Sequence, residues 1–160
     1  MRRLNLLFCF VFIGLSTYAQ SGYHIKGTIK GLSPGPFTLA HYFGSSQYIV
    51  KDTALADAGG SMVFTGSKPL PQGVYMLLSA TKSRIAEFII GPEQHFTFQS
   101  DTVNVITNMR IEGSADNRLY YQYQQQIAGF TAEINFLQTQ QNARSNVLTQ
   151  TKVNNLRRQV

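Results

Sequence analysis

All five prolines of this chain (Pro34, Pro36, Pro69, Pro71 and Pro92) and eleven of its thirteen glycines fall between Gly22 and Gly113. Proline fixes φ and withholds a backbone donor, and glycine opens the left-handed region, so both punctuate regular structure rather than extend it. Punctuation this frequent, with short apolar stretches between, excludes long helices and predicts short strands joined by turns. After Gly113 only Gly129 remains, with no proline, while Gln and Asn become abundant. The change predicts a β-rich domain over residues 20–113 and a helical linker or tail over residues 114–160.

The first strand is the clearest: Tyr23, Ile25, Gly27 and Ile29 alternate with His24, Lys26, Thr28 and Lys30, the period-two pattern of a half-buried strand. Extended segments follow at Phe37–Phe43 and Tyr48–Ala54, and Asp57-Ala58-Gly59-Gly60 reads as a hairpin turn into Ser61–Thr65. Val74–Ala80 and Ile85–Ile90 are apolar on both parities and read as central strands. Alternation resumes around Phe96 and Phe98 and again around Met109 and Ile111. About eight strands uninterrupted by a helix predict a mainly β fold, an antiparallel β-sandwich or barrel-like domain, which should fold without the tail.

Ser114 is placed to cap a helix, with Asp116 in the first turn and Asn117 at the third position. Leu119, Tyr123, Ile127, Phe130, Ile134 and Leu137 then form an apolar stripe, expected to pack on the sandwich itself, a docking face for another domain or subunit being the alternative. The stripe fails at Gln141 and Arg144, so a bend is expected across residues 138–146, with a second helical piece built on Leu148, Val153 and Leu156.

Ahead of all this, Arg2 and Arg3 precede an apolar run from Leu6 to Leu15, and Thr17 and Ala19 stand where a signal peptidase reads small residues. A spanning helix needs roughly 20 apolar residues, so the run predicts a cleavable signal peptide over residues 1–19 and export to the periplasm or cell envelope. Its removal takes away Cys9, the single cysteine, and leaves no disulfide, thiol nucleophile or Cys-x-x-Cys pair. It also removes two of 14 basic residues against 8 acidic ones, so the net charge falls from +6 to +4. Lys26, Lys30, Lys51, Lys68, Lys82 and Arg84 are dispersed, which excludes a basic stripe for nucleic acid.

No residue emerges as catalytic. His24, His41 and His95 lack the tight spacing of metal ligands, and no metal or cofactor is implied. Asp52 and Asp57 read as turn-stabilising carboxylates rather than a calcium pair. Glu87, within an apolar run, is the one acid whose burial would raise its pKa into a catalytic range, although a rim position facing water fits better. Tyr23, Tyr42, Tyr48 and Tyr75 offer aromatic surface for a glycan, and a stand-alone envelope module binding a glycan, peptide or lipid is a second reading.

An ordered series of short motifs points elsewhere: Tyr23–Leu32, Asp52–Asp57, Phe64-Thr65-Gly66, Gly73-Val74-Tyr75, Phe96-Thr97-Phe98 with Asp101-Thr102, and Ile111-Glu112-Gly113-Ser114 with Asn117 and Tyr123. The series resembles the β-rich domain of unknown function at the N-terminus of many exported thioredoxin-like proteins of Gram-negative bacteria. There it precedes a helical linker and a C-terminal domain of the alkyl hydroperoxide reductase/thiol-specific antioxidant type. The resemblance implies an envelope role beside thiol–disulfide exchange, with a C-terminal thioredoxin-like domain as partner and holder of the redox cysteines. This chain then reads as the non-catalytic accessory half, a truncated product or a separate piece.

Overall fold

The computed structural model describes residues 22–44 and 47–158; the expected signal peptide, residues 1–19, lies outside them. Eight strands are followed by one helix: β1 (Tyr23–Lys30), β2 (Gly35–Phe43), β3 (Gln47–Ala56), β4 (Ser61–Gly66), β5 (Gly73–Leu78), β6 (Arg84–Ile90), β7 (His95–Asp101), β8 (Arg110–Glu112) and α1 (Ala115–Arg157). The strands form two four-stranded sheets, ordered β4-β1-β7-β8 and β3-β2-β5-β6. The fold is mainly β, as the punctuation predicts. All pairings are antiparallel except β1 with β7, which run parallel with Ile25 opposite Phe96 and Gly27 opposite Phe98.

The alternation in β1 sends Ile25 and Ile29 inward and leaves His24, Lys26 and Lys30 exposed. Opposite them, Phe37, Leu39, Tyr75, Leu77, Phe88 and Ile90 project from the second sheet into one shared core. Phe88 meets Phe98 across the sheets with ring centroids 4.6 Å apart. Gly27 is buried beneath that same Phe98 ring, where a Cβ would overlap it.

Two strand expectations change. The Asp57–Gly60 turn forms, but it joins no hairpin: β3 pairs with β2 and β4 with β1, so the turn carries the chain from one sheet to the other. Gly60 sits there at φ 75°, its backbone against β1, with the Ile29 amide donating to its carbonyl at 3.0 Å. A local motif specifies a reversal, whereas the partner of each flanking strand is set by which faces must be buried. The second change concerns β6, which is an edge strand rather than a central one. It is apolar on both parities because α1 passes along it.

Two helix expectations also change. α1 is one continuous helix from Ala115 to Arg157, with no bend across residues 138–146. Its backbone bonds are local, and that stretch holds no proline or glycine to interrupt them. The apolar stripe does not pack on the sandwich: Leu119, Tyr123, Ile127, Phe130, Ile134 and Leu137 are all exposed. The helix docks through a different face, carrying Asn117 and Tyr121, and then runs clear.

Candidate functional site

The most extensive network of side-chain hydrogen bonds among the described residues lies where α1 meets β6. Ser114 precedes the helix and accepts from the Asn117 amide at 3.4 Å, a weak N-cap of the kind its position predicts. That cap fixes the first turn so that Asn117 faces β6. The Ile89 amide donates to Asn117 Oδ1 at 2.7 Å, and Asn117 Nδ2 donates to the Ile89 carbonyl at 2.7 Å and to Ser114 Oγ at 3.0 Å. One turn later, the Tyr121 hydroxyl donates to the Glu87 carbonyl at 2.9 Å. Residues 87 and 89 present the backbone groups of β6 that face away from β5. An edge strand otherwise exposes such groups as a template for aggregation, and here two side chains four apart on a helix stand in for the missing strand. Asn117 is fully buried, and Tyr121 packs its ring against Phe88 with centroids 6.3 Å apart.

On the outer face of β6, Glu87 gathers three donors. Its Oε1 accepts from Tyr42 at 2.8 Å and from Arg84 at 2.7 Å, and its Oε2 accepts from Tyr120 at 3.2 Å. Partial burial pushes the carboxyl pKa upward, but the Tyr42 hydrogen bond, the Arg84 charge and the Tyr120 hydroxyl together hold it below its ordinary value. The raised pKa that would suit a proton donor near neutrality is therefore not the one found. Beside this cluster lies a cavity of about 220 Å³, lined by Arg84, Ile85, Val105, Ile106, Tyr121 and Gln124 among others. The expected water-facing rim position for Glu87 is half right, since the side chain is about a quarter exposed yet fully engaged. The arrangement is an ion pair within β6, tied to β2 through Tyr42 and to α1 through Tyr120.

Other residues singled out from the sequence do not converge. Asp57 stabilises its turn as expected, accepting from the Gly59 and Ser61 amides at 2.8 and 2.9 Å. Asp52 accepts from Tyr23 at 2.7 Å, tying β1 of one sheet to β3 of the other, and burial followed by that carboxylate pushes the Tyr23 phenol up. The four tyrosines form no shared platform: Tyr23 and Tyr75 are buried, Tyr42 is occupied by Glu87, and Tyr48 lies exposed on β3. Burial likewise pushes the Tyr75 phenol up to about 12.

His24 and His95 stack with centroids 6.4 Å apart on the outer face of the first sheet, and His41 stacks on Tyr75 at 4.6 Å. No group of three or more His, Cys, Asp or Glu side chains is placed to hold a metal ion among the described residues. His95 borders a cavity of about 520 Å³, shared with Leu70, Glu93 and Gln94, and its Nε2 is buried without a partner. Gln94, buried beside it, staples Leu70 through both amide and carbonyl. No helix of the described residues is long and apolar enough to cross a membrane.

Sequence reasoning missed the roles of Asn117 and Tyr121. Asn117 reads as an ordinary first-turn residue, and Tyr121 falls off the apolar stripe. The available signal is their four-residue spacing, which puts them on one face directly after the capping serine.

Against known proteins, no curated protein and no solved structure matches the chain. One sequence family matches residues 23–120, a span from the start of β1 into the second turn of α1 that includes Asn117 and Tyr120. With that family covering more than half its length, the chain belongs to the domain of unknown function DUF4369.

Proposed function

We propose that this chain is the non-catalytic accessory module, for binding or docking, of an exported cell-envelope thiol–disulfide oxidoreductase. The redox cysteines belong to a thioredoxin-like domain joined through α1. The single observation that carries this reading is α1 itself. Its first three turns are built into the sandwich, while the remainder projects with an uncovered apolar stripe, as a segment leading to another body would.

Two sequence features support it. The motif series from Tyr23 to Tyr123 resembles the domain that precedes such redox domains, and no cysteine remains after Cys9 to perform thiol chemistry within this polypeptide. Export, through cleavage after about residue 19, places the module in an oxidising compartment where its partner chemistry operates. Glu87, paired with Arg84 on β6, then ties the base of the projecting helix to the sheet through Tyr120 rather than acting on a substrate.

Reading the coding sequence beyond Val160 tests the proposal. Continuation in frame into a segment with Trp-Cys-x-x-Cys is the expected result. A native stop codon at that point, together with failure of the purified chain to retain any thioredoxin-like protein from a periplasmic extract, would overturn it.

A further inference from the structure

C-terminal to Tyr121, the hydrogen bonds from the described part of α1 to the sandwich come from Gln125, whose amide reaches the carbonyls of Ile106, Thr107 and Met109. Past that point a helix some 65 Å long overall, at about 1.5 Å per residue, stands without a neighbour. Its apolar side chains are not scattered. Tyr123, Ile127, Phe130, Ile134 and Leu137 follow one another at intervals of 4, 3, 4 and 3. This is the 3.5-residue repeat that keeps a seam turned toward another helix, whereas packing on a globular surface follows a broader 3.6-residue stripe. With Leu119 on the same side, each is between 42 and 68% exposed.

We propose that α1 is a dimerisation helix that pairs with α1 of a second copy of this chain, antiparallel, about a point between Ile127 and Phe130. In that register Ile127 of each copy faces Phe130 of the other, Tyr123 faces Ile134, and Leu137 comes opposite the ring of Tyr120. Covering the six side chains removes on the order of 700 Å² per copy, close to the ~800 Å² per partner of a stable interface. The positions flanking the seam, Gln126, Thr131, Glu133, Gln138 and Gln140, carry a single charge, so two identical helices approach without a row of like charges between them.

The same sequence sets the direction. Seven residues after Leu137, the seam position is Arg144. A parallel pair would place two copies of Arg144 opposite each other in the seam, a like-charge contact. In the antiparallel pair Arg144 instead passes the first turn of the other copy's helix, where Asp116 is exposed and Glu93 accepts from the Ala115 amide. Opposite charges meet there. The second apolar patch, Ala143, Val147 and Leu148, is carried toward the other copy's sandwich.

The test uses the full chain with Cys9→Ser, in which any introduced cysteine is the only one. Light scattering should give twice the mass of one chain at micromolar concentration. Phe130→Glu should halve that mass while leaving the thermal unfolding of the sandwich in place, because Phe130 is exposed on α1 and belongs to neither core cluster. Arg144→Glu should weaken the dimer about tenfold by opposing Asp116. Tyr123→Cys mixed with Ile134→Cys should form a heterotypic disulfide under mild oxidation, and neither variant alone should cross-link. A homotypic Tyr123→Cys cross-link would mean parallel pairing and overturn the proposal. So would one-chain mass at every concentration, or a Phe130→Glu variant that still dimerises.

Discussion

Asn117 clasps Ile89 at two points, accepting from its amide and donating to its carbonyl, both at 2.7 Å. A carboxamide presents a donor and an acceptor with nearly the spacing of a peptide group, so it continues the hydrogen-bonding pattern of β6 where the sheet ends. The same amide also reaches Ser114 Oγ, which leaves this fully buried side chain with every polar atom satisfied.

Asn117→Ala should be among the most destabilising single changes in the chain. It strips the partner from two backbone groups covered by α1, at about 1–3 kcal/mol for each group left unmade. Asn117→Asp should fail to rescue, because the carboxylate accepts from Ile89 N but cannot donate to Ile89 O. Chemical denaturation of both variants checks this; an aspartate variant as stable as the native chain would contradict it.

Tyr121→Phe keeps the ring against Phe88 and loses only the hydroxyl that serves Glu87 O, so a loss of about 1 kcal/mol is expected. Tyr121→Ala also removes a buried ring and should cost roughly 3–5 kcal/mol. The contrast between the two separates the edge-capping contribution from the packing contribution in one unfolding series.

Glu87 gives a pH dependence of known sign. Its folded pKa lies below its ordinary value, with the upward push of burial outweighed by Tyr42, Arg84 and Tyr120. A depressed carboxyl pKa contributes stability that is complete above the unfolded value and is lost as pH falls through the folded one. The native chain should therefore lead Glu87→Gln at neutral pH, by about 1 kcal/mol or less given the partly exposed pair, and the gap should close as the pH falls through and below the ordinary carboxyl range. Unfolding midpoints of both proteins across that range provide the measurement.

Truncation tests how far the core extends. The sandwich was expected to fold without residues 114–160, yet Tyr121 belongs to the hydrophobic core and Asn117 is fully buried. A chain ending at Gly113 should lose cooperative unfolding, since net stabilities of ~5–15 kcal/mol do not withstand the loss of both contacts. A chain ending after Gly129 should retain it. Differential scanning calorimetry distinguishes the two.

Gly27→Ala should destabilise although it sits in a regular strand. The Phe98 ring lies where the new methyl would go, and Phe98 is itself buried against Phe88. Overpacking of this kind costs about 1–3 kcal/mol, and Phe98→Leu in the same chain should recover part of the loss in a double-mutant cycle.

Much of the fold was legible in the chain. Residues of β1 alternate because one face of the strand meets water, and that is a local property readable from eight residues. The turn at Asp57–Gly60 and the cap at Ser114 are equally local, each made by side chains within a few positions of the backbone they bond. The candidate site was less legible. Glu87 stood out as an acid among apolar residues, but its partners Tyr42 and Tyr120 lie 45 and 33 positions away.

What the sequence by itself determined was therefore the kind and order of the elements: short strands between proline and glycine breaks, then a capped helix. These follow from steric limits and local hydrogen bonding, which depend on neighbours along the chain. Only the tertiary structure decided that β1 and β7 run side by side, that β3 and β4 part into different sheets, and that β6 is an edge. It also decided which face of α1 is buried. The apolar stripe carries the stronger hydrophobic signal, yet the helix docks through Asn117 and Tyr121, because an unpaired strand edge demands donors and acceptors that leucine and phenylalanine do not have.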